Sequence, residues 1–296
     1  MNGILLVDKP AGLTSHDVVD RVRKAAGIRR VGHTGTLDPR ATGLLILCLG
    51  RATRLSEHLT RLDKVYEGAM RLGVVTDSFD LDGTILEEHP VPAFDETAIR
   101  EVCARFTGDL MQVPPMVSAV KVGGERLYKT ARQGGVVARE PRPVTVYAFD
   151  VLDFASPDVT IRVRCTSGTY VRSLCHDIGR ELGCGAALAS LRRMKVGPHS
   201  VVDAVVLDAL NTPQDVVSRL VPMNEALDLP TVVVRWESRK SVVSGATLTK
   251  MQFVGTCPVR TGWVQIKTED GELLAIGLVE STAAAERVLP KRVLAD

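Results

Sequence analysis

The sequence has no long apolar run, no closely paired cysteines and no strong excess of either charge. Its longest apolar stretch, Gly43 to Gly50, falls far short of the roughly 20 residues that a membrane-spanning helix needs. The opening MNGILLVDKP carries a short apolar run stopped by Asp8. It has no basic lead and no small-residue cleavage site, so it does not read as a signal peptide. A soluble, cytoplasmic protein without a membrane partner is expected. The cysteines are Cys48, Cys103, Cys165, Cys175, Cys184 and Cys257. None stand in a CxxC pair, which argues against a structural zinc site and for reduced, mostly buried thiols. The nucleotide and dinucleotide fingerprints GxxxxGK[ST] and GxGxxG are absent. No internal repeat or low-complexity segment is present.

What is there is an ordinary globular composition, with 45% apolar and 24% charged residues in a chain of 296. That length suggests two domains, or one large domain with an appendage. The net charge of +2 neither demands nor excludes nucleic acid. The basic residues are clustered, however, at Arg21, Arg23, Lys24, Arg29 and Arg30, at Arg51 and Arg54, and at Arg192, Arg193 and Lys195. Solvated helix faces and a phosphate track are both consistent with such patches.

Residues 3–7 read as a strand, followed by a turn at Lys9-Pro10-Ala11-Gly12. Thr14-Ser15-His16-Asp17 reads as a capping box. Behind it, Val18, Val19, Val22, Ala25 and Ala26 recur at helical spacing up to Gly27. A polar loop from Gly32 to Gly43 feeds a buried strand, Leu44 to Leu49, and a helix over 51–62. Val65 to Leu72 alternates as a half-buried strand, with Tyr66, Met70 and Leu72 on one face. Asp80-Leu81-Asp82-Gly83 is a turn, and 95–107 is helical. Residues 114–142, rich in Gly, Pro and charge, form a long excursion. Val159, Ile161, Val163 and Cys165 mark the clearest strand. Ser167-Gly168-Thr169 turns into a helix with Val171, Leu174, Cys175, Ile178 and Leu182 on one face, and residues 186–195 are read as continuing it. After about residue 228 short β-like runs appear, including a hairpin around Asp270-Gly271. The expected class is therefore α+β, with a central mixed, mostly antiparallel sheet flanked by helices and loops. A small β-rich C-terminal domain is expected at 229–296.

The informative segment is Gly32-His33-Thr34-Gly35-Thr36-Leu37-Asp38-Pro39-Arg40-Ala41-Thr42-Gly43-Leu44-Leu45. It is a tight loop whose glycines permit close backbone approach. Pro39 biases Asp38 away from helical geometry. One carboxylate is thus held on a stiff element, with a histidine in the same loop. From spacing alone, a purely structural Asx-turn before Pro39 is the favoured reading.

This segment resembles the signature GHTGxLDPxATGxL of the TruB family of tRNA pseudouridine-55 synthases, and matches every fixed position. The resemblance also runs through Lys9-Pro10-Ala11-Gly12, Lys64-Val65-Tyr66, and Thr76-Asp77-Ser78-Phe79-Asp80-Leu81-Asp82-Gly83. It continues through Pro115-Met116-Val117-Ser118-Ala119-Val120-Lys121, Ala131-Arg132-Gln133-Gly134, Gly168-Thr169-Tyr170-Val171-Arg172 and Gly183-Cys184-Gly185-Ala186. It keeps the family's order over residues 3–195.

The resemblance implies a pseudouridine synthase fold with a catalytic domain at 1–228. It implies an RNA-closing insertion at about 114–142 and a PUA-like RNA-binding domain at 229–296, ending in Val288-Leu289-Pro290-Lys291-Arg292-Val293-Leu294. The implied substrate is a flipped uridine in the T-arm of tRNA. No cofactor, metal or protein partner is implied, and a monomer is expected. Asp38 is the implied catalytic carboxylate. It must be ionised in a nearly dry pocket, which requires a nearby cation, and the resemblance names Arg172. The helical reading independently puts Arg172 in a first turn, where amide dipoles favour anions. Asp80 and Arg132 are implied to join that charge network. Tyr66 is implied to stack on the base, and Tyr170 and Leu191 to line the uridine pocket. His33 is implied to fill the space the base vacates. Lys9 is a candidate phosphate or loop contact.

Two other classes remain for test. A tRNA-folding chaperone would need the basic cleft and aromatics but not Asp38. A metal-dependent hydrolase using Asp77, Asp80 and Asp82 lacks the closing glutamate of a calcium loop.

Overall fold

The computed structural model describes residues 1–116, 121–122, 125–126, 138–281 and 286–295. Its centre is a mixed, mostly antiparallel sheet. Along the main path the strands run Val205–Val206, Gly3–Lys9, Thr42–Leu49, Ala186–Val196, Lys64–Leu72, Asp158–Cys165, Arg142–Ala155 and Gly108–Gln112. The contact between Ala186–Val196 and Thr42–Leu49 is parallel, while Ala186–Val196 pairs antiparallel with Lys64–Leu72.

The burial pattern explains the sequence pattern. Gly3–Lys9 and Thr42–Leu49 read as continuous apolar runs because both of their faces are covered. Leu5, Val7, Leu45 and Leu47 pack under Val18, Val19 and Val22 of the Ser15–Ala26 helix. That helix begins on the expected box, with the Thr14 hydroxyl accepting from Asp17 N, and ends at Gly27 with φ +65°. The opposite face, Ile4, Leu6, Leu44 and Ile46, packs against Leu273, Ile276 and Leu294 from the C-terminal region. Asp158–Cys165 alternates instead. Val159, Ile161, Val163 and Cys165 are buried with Leu174, Cys175 and Ile178 of the Val171–Glu181 helix, whereas Arg162 and Arg164 are exposed.

Three expectations need correction. Residues 186–195 do not prolong the preceding helix. They form the strand Ala186–Val196 at the heart of the sheet. The helix is stopped by Gly183 at φ +78° and Gly185 at φ +74°, a left-handed geometry that only glycine adopts without strain. The loop expected from Gly32 starts later, because Val31–His33 pairs with Leu47 to Leu49. The helix expected over 51–62 is a 3-10 turn, Gly50–Leu55, running into a short α-helix, Ser56–Arg61.

The C-terminal region is a separate sheet in the order Leu248–Thr249, Glu286–Val293, Leu273–Ser281, Thr261–Thr268, Thr231–Val234 and Phe253–Val254. It has its own core around Val234, Phe253, Val264 and Val288. It is nevertheless fastened to the first sheet. Besides the shared apolar cluster, Arg292 pairs with Glu57 at 2.7 Å, Arg54 donates to the Val293 carbonyl at 2.6 Å, and His58 meets Trp263 edge-on. No helix among the described residues is long and apolar enough to cross a membrane.

Shared packing predicts shared unfolding. The tryptophans both belong to the C-terminal region, Trp263 in its Thr261–Thr268 strand and Trp236 in the 3-10 turn Trp236–Ser238. Ile46→Ala, a cavity mutation in the other half, should cost about 2–5 kcal/mol. It should lower the urea midpoint seen by tryptophan fluorescence in step with that seen by circular dichroism. A fluorescence midpoint left at its wild-type value would show that the two sheets unfold independently.

Candidate active site

The loop carrying Asp38 is pinned almost residue by residue. Thr34 N donates to the Ile46 carbonyl at 3.1 Å, and Leu37 N donates to Ser15 Oγ at 2.9 Å. Pro39 O accepts from Gly12 N at 2.9 Å and from Lys9 Nζ at 3.0 Å. Gly35 O accepts from Arg193 Nη2 at 3.1 Å, and the same guanidinium donates through Nε to Leu44 O at 2.7 Å. At the end of the loop Gly43 has φ +97°, and a Cβ there would lie 2.3 Å from the Arg193 carbonyl. Only glycine lets the loop meet the Ala186–Val196 strand so closely.

Arg172 reaches Asp38 from the first turn of the Val171–Glu181 helix. Gln112 fixes that helix start by accepting from Tyr170 N at 2.7 Å and donating to Tyr170 O at 3.0 Å. The Arg172 guanidinium lies 3.2 Å from an Asp38 carboxylate oxygen and 3.2 Å from Asp80 Oδ2. Its side chain is 6% exposed, against 16% for Asp80 and 44% for Asp38. The cation is therefore the buried member, and Asp38 looks outward. Asp38 is thus only partly buried, and its surroundings in the free protein are less dry than expected.

Asp80 is held from several sides. Ser78 Oγ donates to its Oδ1 at 2.6 Å and Asp82 N donates to the same atom at 3.1 Å. Its backbone bridges to Leu188. The residue before it, Phe79, is the one non-glycine with positive φ, +67°, among the described residues. Its ring stacks on His176 at 3.9 Å, one helical turn beyond Arg172. Asp77 accepts from Thr84 N at 2.9 Å and Asp82 pairs with Arg40 at 2.6 Å. The three acidic residues of this turn thus serve separate sets of protein donors, and among the described residues they form no metal-holding group.

A cavity of about 380 Å³ opens beside Asp38. Tyr66, Tyr170, Arg172, Leu191, Lys64 and Arg193 are among its lining residues. The sheet register makes this so. Arg193 lies opposite Tyr66 on one side and Gly43 on the other, and Leu191 lies opposite Gly68. Of the expected site residues, Asp38, Tyr66, Tyr170, Arg172 and Leu191 line this cavity, and Asp80 joins through Arg172. His33 does not line it. It sits at the end of its short strand, where its Nδ1 accepts from Gly35 N at 3.4 Å. Lys9 is fully buried, and its ammonium donates to Pro10 O and Pro39 O. A phosphate has no access to it. Arg132 lies outside the described residues, as does most of the 114–142 excursion.

Two buried cations went unnoticed as site residues. Arg193, 2% exposed, was counted only within a basic cluster. Lys64, 5% exposed, donates to Thr60 O and Leu62 O at 2.5 Å each. The available signal was that Leu191 and Arg193 share a face once residues 186–196 are a strand.

The electrostatics follow from burial. Burial pushes the Asp38 carboxyl above its ordinary value of 3.8, Arg172 and Lys9 pull it down, and Asp80 pushes it further up. Burial is the largest of these. The Tyr66 phenol is likewise pushed up by burial, with the Arg193 guanidinium opposing. Burial brings Lys9 down to about 8, with Asp38 opposing, and brings Lys64 to about 8, with Arg193 adding to the fall.

Comparison with known proteins places these features in a family. Residues 23–171 match the TruB family pseudouridylate synthase N-terminal domain, and residues 172–228 match the tRNA pseudouridylate synthase B C-terminal domain. A tRNA pseudouridine synthase B of Opitutus terrae is 52% identical over 79% of this chain and 97% of its own. One of Syntrophotalea carbinolica is 42% identical over 97% of this chain and 94% of its own. Among solved structures, a Cbf5-Nop10-Gar1 complex contains a chain that superposes with a TM-score of 0.78 at 29% identity, covering 99% of this chain and 85% of that one. A chain from an H/ACA RNP bound to a substrate RNA containing 2′-deoxyuridine gives a TM-score of 0.76 at 27% identity, covering 99% and 85%.

The buried lysines give a test of the site's electrostatics. Each binds its proton less tightly when folded than when unfolded. Between about pH 8 and the ordinary lysine value of 10.5, the unfolded chain holds protons that the folded chain has released. Stability therefore rises with pH across that window. The difference in unfolding free energy between wild type and Lys9→Met, which cancels all other titrations, should grow from pH 8 to 10.5. The same holds for Lys64→Met. A difference that stays flat or shrinks would mean these lysines are not held as described.

Proposed function

The chain belongs to the TruB family of pseudouridylate synthases, and from that premise we propose that it isomerises uridine 55 in the T-arm of tRNA, with Asp38 as the reacting carboxylate. Membership itself carries the coarser activity, conversion of uridine to pseudouridine in tRNA, in keeping with the name the curated relatives bear. The observation that carries the finer reading is the Arg172 guanidinium, buried between Asp38 and Asp80 at the edge of a 380 Å³ cavity lined by two tyrosines.

The reaction breaks N1–C1′, turns the base and joins C5 to C1′. The C5 proton leaves and N1 gains one, so atoms and electrons balance without a redox partner. The base must first leave its stack to be reached. Tyr66 and Tyr170 supply stacking surfaces worth about 1–3 kcal/mol per base, and Leu191 closes the apolar wall. Ionised Asp38 then acts at the sugar, either by attacking the electron-poor C1′ or by removing a sugar proton to give a glycal. Both routes need the anion. Arg172 supplies the opposing charge, and bound RNA supplies the dryness that the free protein lacks. Asp80 holds Arg172 in place. His33, at the end of the Val31–His33 strand, fills the space the extruded base leaves in the RNA. Residues 1–228 form the catalytic unit and 229–296 a PUA-like RNA-binding unit. The enzyme works as a cytoplasmic monomer without protein partner or cofactor.

Tritium release from tRNA transcript labelled at uridine C5 reads the reaction directly, because forming C5–C1′ expels that hydrogen. Wild type should release tritium from normal transcript and none from a transcript with cytidine at position 55. The isosteric Asp38→Asn should release none while binding tRNA with near wild-type affinity. Turnover by Asp38→Asn would remove this residue from the chemistry. Binding without release by wild type would turn the reading to an RNA chaperone.

A further inference from the structure

A second cavity, of about 190 Å³, shares Asp38, Leu188 and Leu191 with the first. Its other walls are small, Ala11, Ala41, Ala189 and Ser190, and its charged members are Arg40, Asp80 and Asp82. The Arg40–Asp82 ion pair, 2.6 Å long, joins the loop just past Asp38 to the turn that carries Asp80. Arg40 is 72% exposed and Asp82 36%. Such a pair contributes little stability, so Arg40 is readily given up to a better partner.

The chemistry of that partner follows from the reaction proposed above, on which this inference rests. With the base in the larger cavity and its sugar at Asp38, what continues from the sugar on either side is a phosphodiester. The second cavity has no aromatic side chain among its lining residues on which a base could stack, so it suits a sugar–phosphate link. A carboxylate-lined space repels a phosphate unless a cation meets it. Arg40 is that cation, and a guanidinium fork matches two phosphate oxygens better than a point charge does. The acid it would leave behind is suited to the exchange. Burial and neighbouring Asp80 raise the proton affinity of Asp82, with Arg40 opposing.

We propose that Arg40 swings from Asp82 to clamp a phosphodiester flanking the target uridine, making the smaller cavity a subsite for the RNA backbone beside the reacting sugar.

The test uses T-arm stem-loop RNAs carrying a neutral methylphosphonate at the linkage 5′ or 3′ of the target. Dissociation constants and tritium-release kinetics are measured with wild type, Arg40→Ala and Asp82→Asn. One of the two neutral linkages should weaken wild-type binding about tenfold, which is one such contact's worth. Arg40→Ala should lose about the same on natural RNA, in KM more than in kcat, and lose nothing further on that modified RNA. Its salt dependence should fall by about 0.7 in log–log slope. Asp82→Asn, which releases Arg40, should bind natural RNA more tightly. Independent, additive losses from Arg40→Ala and from each methylphosphonate would overturn the proposal. So would inorganic phosphate competing through Arg40 with no methylphosphonate effect, which would assign the site to a free anion. The binding arms stand apart from turnover, so failure of the isomerase reading would appear separately, as absent tritium release by wild type.

Discussion

Everything at this site depends on one buried guanidinium shared by two carboxylates. Arg172 sits almost out of water with Asp38 and Asp80 at 3.2 Å on either side. A cation in that position is costly unless it is paired, so the fold must bring both acids to it. In return Arg172 lowers the proton affinity that burial raises in Asp38. The balance is uneven, because burial outweighs the arginine and Asp80 adds to burial. Asp38 thus holds its proton more tightly than an exposed aspartate does, and its anion is the more basic for it.

Three chain segments remote in sequence have to agree for this to happen, and each is fixed by means other than the ion pair. The loop of Asp38 is held by backbone bonds to Ser15, Lys9, Gly12 and Arg193. The helix of Arg172 is set by Gln112 at its first residue. The turn of Asp80 is clasped by Leu188 and by Phe79 stacking on His176. Preorganisation of this kind is what lets a single charge pair work without rearranging during the reaction. The C-terminal sheet adds rigidity from below, through Leu273, Ile276 and Leu294.

Much of this was legible in the chain. The helix after Thr14 was readable because a capping box is a local device. Arg172 in a first turn was readable from the Ser167-Gly168-Thr169 turn and the helical spacing of Val171, Leu174, Cys175 and Ile178, although Tyr170 at the N-cap makes no side-chain cap bond. Asp38 stood out through its loop, and the family resemblance named its partners. The strand Ala186–Val196 was not readable. Its register slips between Leu188 and Ser190 and again between Arg193 and Lys195, so the period of two is broken twice. The spacing of Leu188 and Leu191 imitates a helix that glycines have in fact just ended. Without the strand, nothing in the chain separates buried Arg193 from the exposed members of its basic cluster. The burial of Lys9 and Lys64 was also hidden, since their partners are backbone carbonyls brought near only by the fold.

The most direct test of the account is the acid limb of kcat/KM, wild type beside Arg172→Lys. Because burial outweighs Arg172, the wild-type limb should lie above the ordinary aspartate value of 3.8. A lysine keeps a charge but cannot fork to both carboxylates. Arg172→Lys should therefore shift the limb to higher pH and lower kcat by roughly 10²-fold, the scale of a small misplacement in a catalytic array. A limb that stays in place with near-normal kcat would show that Arg172 does not govern Asp38, and the central claim would fall.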